Sequence, residues 1–145
     1  MTRADRAKRI DPAQADFYAE LGRRLMHAGR AIVERDDTRH ASALAILSIH
    51  AAIAFADAVT VHVGGRKSTS ADHHAASRLV RATLGPRLSA GVETALSRLV
   101  GEKDRFEYQG YLATMREAAV LYAHAEKIGA WAEGVLVATR RSASS

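Results

Sequence analysis

The sequence predicts an all-α fold, an up-and-down bundle of four to five helices. Three observations carry that prediction: apolar residues recur at three- and four-residue spacing, breaks rich in glycine, proline or charge divide the chain into five such segments, and no stretch alternates apolar and polar residues as a strand would. At 145 residues the chain fits one domain, large enough to bury about two-thirds of the surface its unfolded form exposes. The expected boundaries are a basic flexible tail over 1–10, the bundle over 11–138 and a second flexible tail over 139–145.

The first helix opens at Asp11-Pro12-Ala13-Gln14, which supplies an N-cap oxygen, a proline at the first helical position and a glutamine placed for a reciprocal capping contact. Phe17, Leu21, Leu25, Ala28 and Ile32 then mark a stripe expected to face the core, and the helix ends near Arg35. Asp36-Asp37-Thr38 offers a turn and an N-cap for the second helix, which runs to Gly64-Gly65, a pair suited to a left-handed stop. Arg66 to Ser70 reads as a loop. Thr69-Ser70-Ala71-Asp72 has the pattern of a capping box for a third helix through Leu84, and Gly85-Pro86 stops it. Leu88, Val92, Leu96 and Leu99 turn a fourth helix inward as far as Gly101. After the charged link GEKDRFEYQG, the last helix spans about Gln109 to Val137, with Leu112, Met115, Ala119, Tyr122 and Ile128 as its expected buried edge.

The second helix sets the main chemical problem. Between Arg39 and Arg66 the chain carries one formally charged side chain, Asp57, inside an alanine-rich apolar run. An unpaired buried charge costs several kcal/mol or more, so this carboxylate must be paired, hydrogen-bonded or protonated. The run is long enough to cross a membrane, yet it holds His50, Asp57, Thr60 and His62. A carboxylate near the centre of a span is penalised by about 2.5 to 3.5 kcal/mol, so a buried helix of a soluble protein is the better reading and no membrane partner is expected.

The chain has no cysteine, which excludes disulfides, thiolate metal sites and a cysteine nucleophile and suits a reducing cytoplasm. The basic start MTRADRAKRI is followed by DPAQAD rather than by an apolar segment, which argues against a secretory signal. The net charge of +5 sits at the two ends, in Arg3, Arg6, Lys8 and Arg9 against Asp5 and in Arg140 and Arg141. Residues 11–139 then hold 15 basic and 15 acidic side chains. The excess positive charge therefore belongs to the tails, as solubilising groups or as arms for an acidic partner.

His50 and Asp57 lie two helical turns apart on nearly one face, about 10 Å along the axis, and cannot bond each other. The nearest complements in type are Lys103 and Arg105 as cations and Tyr108 as a hydroxyl donor, all in the link before the last helix. Paired to such groups, Asp57 is either a lock that fixes helix register or part of a binding site. Asp72 and His73 open the third helix, where backbone N–H groups can hold an anion, or Asp72 merely supplies the helix-start charge. A metal set of His50, Asp57 and His73 has the right atoms, but no pair at metal-binding spacing supports it. No GxSxG, GxxxxGK[ST] or GxGxxG is present, so neither a cofactor nor a catalytic residue is assigned.

The combination of SIHAAIAFADAV, ADHHAASRLV and KDRFEYQGY resembles the HEPN superfamily, and within it a branch of small bacterial HEPN-like proteins. The resemblance covers roughly residues 10–138. It implies a helical bundle, commonly a homodimer, associated with RNA cleavage, with nucleotidyltransferase partners in toxin–antitoxin pairs, or with RNA and nucleotide binding. The matching positions are His50, Asp57, Asp72, His73, Lys103 and Tyr108. The ribonuclease members place an arginine and a histidine, with four to six residues between them, at the start of the last helix. Here Arg105-Phe-Glu-Tyr-Gln-Gly-Tyr holds no histidine. The spacing at Arg35 to His40 and at Arg66 to His73 is no more frequent than chance gives. The implied function is therefore a binding or interaction module, with a metal-independent ribonuclease at a dimer cleft and a purely structural dimeric partner as alternatives.

Overall fold

A computed structural model describes residues 6–70, 72, 74–107 and 109–144, with 139–144 described by backbone alone. Among these residues the chain forms strand β1 (Ala7–Arg9), helix α1 (Ala15–Arg35), helix α2 (Ala41–Gly64), strand β2 (Arg66–Ser68), helices α3 (Ala75–Leu84) and α4 (Ala90–Gly101), the short helix α5 (Lys103–Glu107) and the long helix α6 (Met115–Ser144). The all-α bundle is the fold, with α2 at its centre.

The order of packing follows from local chemistry. Pro12–Gln14 is a single 3₁₀ turn in which the Asp11 carboxylate accepts from the Ala13 N–H at 3.0 Å, and α1 continues from it. At the other end Asp36 takes a left-handed conformation (φ 51°), which a short polar side chain tolerates, and closes α1 through the carbonyls of Ile32 and Val33. The chain reverses there, so α2 runs antiparallel to α1. Apolar on nearly every side, α2 has 15 of its 24 residues buried, which only a helix covered by several neighbours can sustain. It is long and apolar enough to cross a membrane, but most of it is covered by the rest of the fold.

Three helices meet on one ring. A β-carbon on Gly22 of α1 would lie 2.8 Å from the tip of Phe55, and one on Gly129 of α6 would lie 3.0 Å from the same ring. Only glycine lets both backbones close on it. The buried face of α1 is accordingly the small-residue face of Ala15, Ala19, Gly22 and Gly29. This corrects the stripe expected from the sequence: Phe17 and Leu21 are 69% and 51% exposed, Ala28 is exposed, and Leu25 and Ile32 are half-buried. Bulky side chains on the inner face would hold α1 too far out to touch Phe55.

Past α2, Gly65 (φ 62°) turns the chain back, and β2 pairs with β1 in an antiparallel register of Ala7 with Ser68, Lys8 with Lys67 and Arg9 with Arg66. The ladder continues through Ile10 N–H to Gly65 O at 2.9 Å and Thr69 N–H to Arg6 O at 3.0 Å. Neither the loop expected at Arg66–Ser70 nor the free tail expected over 1–10 therefore holds at these positions. Two of the three pairs set like charges directly opposite, an arrangement that weakens a ladder.

β2 carries the chain back along α2, and α3 and α4 then pack antiparallel, joined by Arg81 to Glu93. The start of α3 is held by Asp72, whose carboxylate accepts from the His74 N–H at 2.9 Å, in place of the box expected from Thr69. The last helix begins later than the sequence suggested. Thr114 Oγ1 accepts from the Glu117 N–H and Glu117 Oε1 from the Thr114 N–H, both at 3.1 Å, a reciprocal cap that fixes the start at Met115. Leu112 is thus outside the helix and 81% exposed, and Ala119 is exposed as well. The buried edge is Ala118, Leu121, Tyr122, Ala125, Ile128, Ala132 and Leu136.

Candidate functional site

Asp57 is buried, 7% exposed, as its apolar setting requires. The cation beside it is Lys67 of β2, with Nζ 3.9 Å from Oδ2, and not Lys103. At that separation the contact is electrostatic without a hydrogen bond. Burial pushes the Asp57 carboxyl up to about 7, and Lys67 offsets only part of that rise. The Lys67 ammonium also sits 5.8 Å from the centre of the Tyr18 ring, so β2 delivers a cation between an aromatic face and a carboxylate. The signal for Lys67 was absent from helical periodicity, since it arrives by strand pairing.

The other sequence-predicted residues occupy separate places. His50, half-exposed, has Nε2 2.5 Å from Glu107 Oε1 of α5, yet out of hydrogen-bond alignment, because that oxygen is buried with no hydrogen-bond partner. Asp72 binds Arg78 at 2.7 Å on the surface, and Arg78 holds its carboxyl below the usual range. Lys103, half-buried on α5, forms no ion pair among the described residues. His73 and Tyr108 lie outside the described residues. The single polar cluster expected around Asp57 is therefore divided between β2, α5 and the start of α3. No three histidine, cysteine or acidic side chains gather as a metal set among the described residues.

Arg105 belongs to a different assembly. Its guanidinium donates to Glu117 at 3.1 Å and to Glu102 at 3.4 Å, and its central carbon lies 3.9 Å from the centre of the Tyr111 ring. The Tyr111 hydroxyl donates to Glu117 at 2.8 Å, which raises the phenol above its usual value, while the Thr114 N–H first and Tyr111 second hold the Glu117 carboxyl down. This wall borders a groove between α4 and α6 of about 570 Å³.

The groove has an apolar floor from Phe106, Val120 and Leu121, and Arg98, Arg116 and His124 on its walls. Arg98 and Arg116 have no carboxylate partner among the described residues, whereas Arg105 is matched by Glu102 and Glu117. Burial first, then Arg98 and Lys127, hold His124 below the usual histidine value. It is a neutral imidazole at neutral pH, able to accept a proton, and an anion placed beside it would relieve the repulsion from both cations. Sequence reasoning missed this trio because Arg98 and His124 come from different helices with no fixed spacing. No protein-family model, curated protein or solved structure matches this chain.

Proposed function

We propose that this chain is a HEPN-like homodimeric module that binds RNA or a nucleotide without cleaving it, in a toxin–antitoxin or nucleotidyltransferase-associated setting in the cytoplasm. The observation that supports the ligand class is the α4–α6 groove, where Arg98 and Arg116 stand without carboxylate partners among the described residues over an apolar floor. Guanidinium forks suit phosphate oxygens, and Val120, exposed in the groove, offers apolar surface to a base. The 570 Å³ of the groove is within the range of small-molecule sites.

The test is anisotropy titration of a labelled single-stranded RNA and of a labelled nucleotide. Arg98→Ala and Arg116→Ala each weaken binding about tenfold at moderate salt, and the double variant lowers the salt dependence of binding by about two phosphate contacts. Binding unchanged in the double variant removes the groove from the reading. Absence of binding to both probes removes RNA and nucleotide together and leaves a purely structural partner, to be sought by co-purification from the native cell.

One observation favours the ribonuclease alternative: His124 shares the groove with two arginines, the pairing of a proton acceptor and phosphate-binding groups that metal-independent cleavage needs. Incubation with a mixed RNA pool separates the readings. The binding module leaves the pool intact, and the enzyme degrades it in a manner lost in His124→Ala.

A further inference from the structure

The α4–α6 groove does not end at Arg98. Ser97 and Arg98 also line a second hollow of about 540 Å³, bounded further back along α4 by Ala90, Glu93 and Thr94. Lys127 of α6 reaches across the start of α4, where a β-carbon on Gly91 would lie 2.8 Å from its Nζ. The two helices are antiparallel, so Gly91 with Lys127 marks one end of the channel, and Glu102 and Glu117, both bound to Arg105, mark the other.

The acids along this line are matched from within the chain, Glu93 by Arg81 and Glu102 and Glu117 by Arg105. Glu126, next to Lys127 in sequence, lines the groove between α1 and α6 instead. Arg116, Arg98 and Lys127 are exposed and have no carboxylate partner among the described residues. Arg98 and Lys127 both repel a proton on His124, so the ammonium at Gly91 adjoins the groove. Unmatched cations strung along a channel suit negative charge repeated along a chain.

Length selects among the phosphate ligands. Along the axis of α6, Arg116 and Lys127 stand about 16 Å apart at about 1.5 Å per residue. That span matches about five phosphates of a stacked strand, at about 3.4 Å each. A mononucleotide carries its phosphates at one end and meets only part of the row. A duplex turns phosphate and sugar outward and leaves the exposed Val120 unused, whereas an unpaired strand can lay a base on it.

We propose that the two hollows together hold one single-stranded RNA segment of about five nucleotides, its phosphates following Arg116, Arg98 and Lys127. This path rests on the RNA-binding reading above and narrows its ligand from a nucleotide to a strand.

Anisotropy titration of the full chain with labelled uridine oligomers, from the mononucleotide to the octamer, is the test. Affinity rises with length and levels off at about five nucleotides. Equal affinity for mononucleotide and octamer overturns the strand and leaves the nucleotide reading standing; no binding at any length overturns both. Lys127→Gln and Thr94→Glu, at exposed positions, each weaken the octamer about fivefold and leave the mononucleotide unchanged, and Lys127→Gln lowers the octamer's salt dependence by about one phosphate contact. Octamer binding unchanged in either variant overturns the path through the second hollow. The octamer paired with its complement binds less tightly, as does inorganic polyphosphate. A duplex held as tightly overturns the single strand, and polyphosphate held as tightly overturns the part given to bases.

Discussion

Lys67 stands 3.9 Å from Asp57 because β2 pairs with β1 and runs back along α2. One three-residue strand thus brings the cation that partly offsets the burial of the bundle's inner acid. The pair is also mismatched in burial: the Asp57 side chain is 10% exposed and that of Lys67 31%. Desolvation falls mainly on the acid.

Stability falls as pH rises through the acid's titration. Burial lifts the Asp57 carboxyl from 3.8 to about 7, so between those values the folded chain keeps a proton that the unfolded chain has released. The unfolded state is favoured progressively across that window, by about 4 kcal/mol in total at 1.36 kcal/mol per unit, and the contribution is flat above it. Urea denaturation of the wild type and Asp57→Asn at pH 5 and pH 8 checks this. Asp57→Asn removes the slope and is the more stable of the two at pH 8; a wild type equally stable at both, net of the variant's own dependence, would refute the buried titration.

Lys67→Met removes the one charge among the described residues that draws Asp57 toward ionisation. The midpoint of the pH-dependent loss moves upward, read from the difference between the Lys67→Met and Lys67→Met/Asp57→Asn denaturation series. An unmoved midpoint would place the effective cation elsewhere.

Gly22→Ala tests the three-helix junction. An added methyl gains about 1 kcal/mol of helix propensity at a tolerant site, but here it meets Phe55 at 2.8 Å, and Gly129 keeps the ring from moving away. A net loss of about 1 to 3 kcal/mol is expected in denaturant titration. Gly134→Ala is the control, since nothing lies within 4 Å of its added carbon, and it stabilises by up to about 1 kcal/mol.

Thr114→Ala removes the side-chain half of the cap that starts α6 and costs about 1 kcal/mol, measured by chemical denaturation. Glu117→Ala costs more, because Tyr111 and Arg105 lose a shared acceptor along with the cap.

The helices were legible because their caps and breaks are local: Asp11-Pro12, Asp36 and Gly65 act through neighbours in sequence. The inward face of α1 was not. Periodicity counts large apolar residues, and Phe17 and Leu21 outweigh Ala19 and Gly22 in any such count, although closeness of approach rather than hydrophobicity selected the inner face. Burial of Asp57 could be read from the apolar run around it. Its partner could not, since three residues are too few to display a strand's alternation and a ladder of facing cations argues against itself. Asp72 was singled out by its place at a helix start and by the resemblance, Arg105 by residue type, and each proves to be satisfied by its own neighbours.

That ladder makes dissolved ions act on this molecule in two opposite senses. Screening weakens exposed attractions such as Arg30 with Glu34, yet it also quiets the repulsion of Lys8 against Lys67 and of Arg9 against Arg66. Raising ionic strength therefore tightens the ribbon that clasps the first strand to the bundle, and slower deuterium uptake at the Ile10 and Thr69 amides would register it. The grip on the chain's beginning is firmer in brine than in dilute buffer.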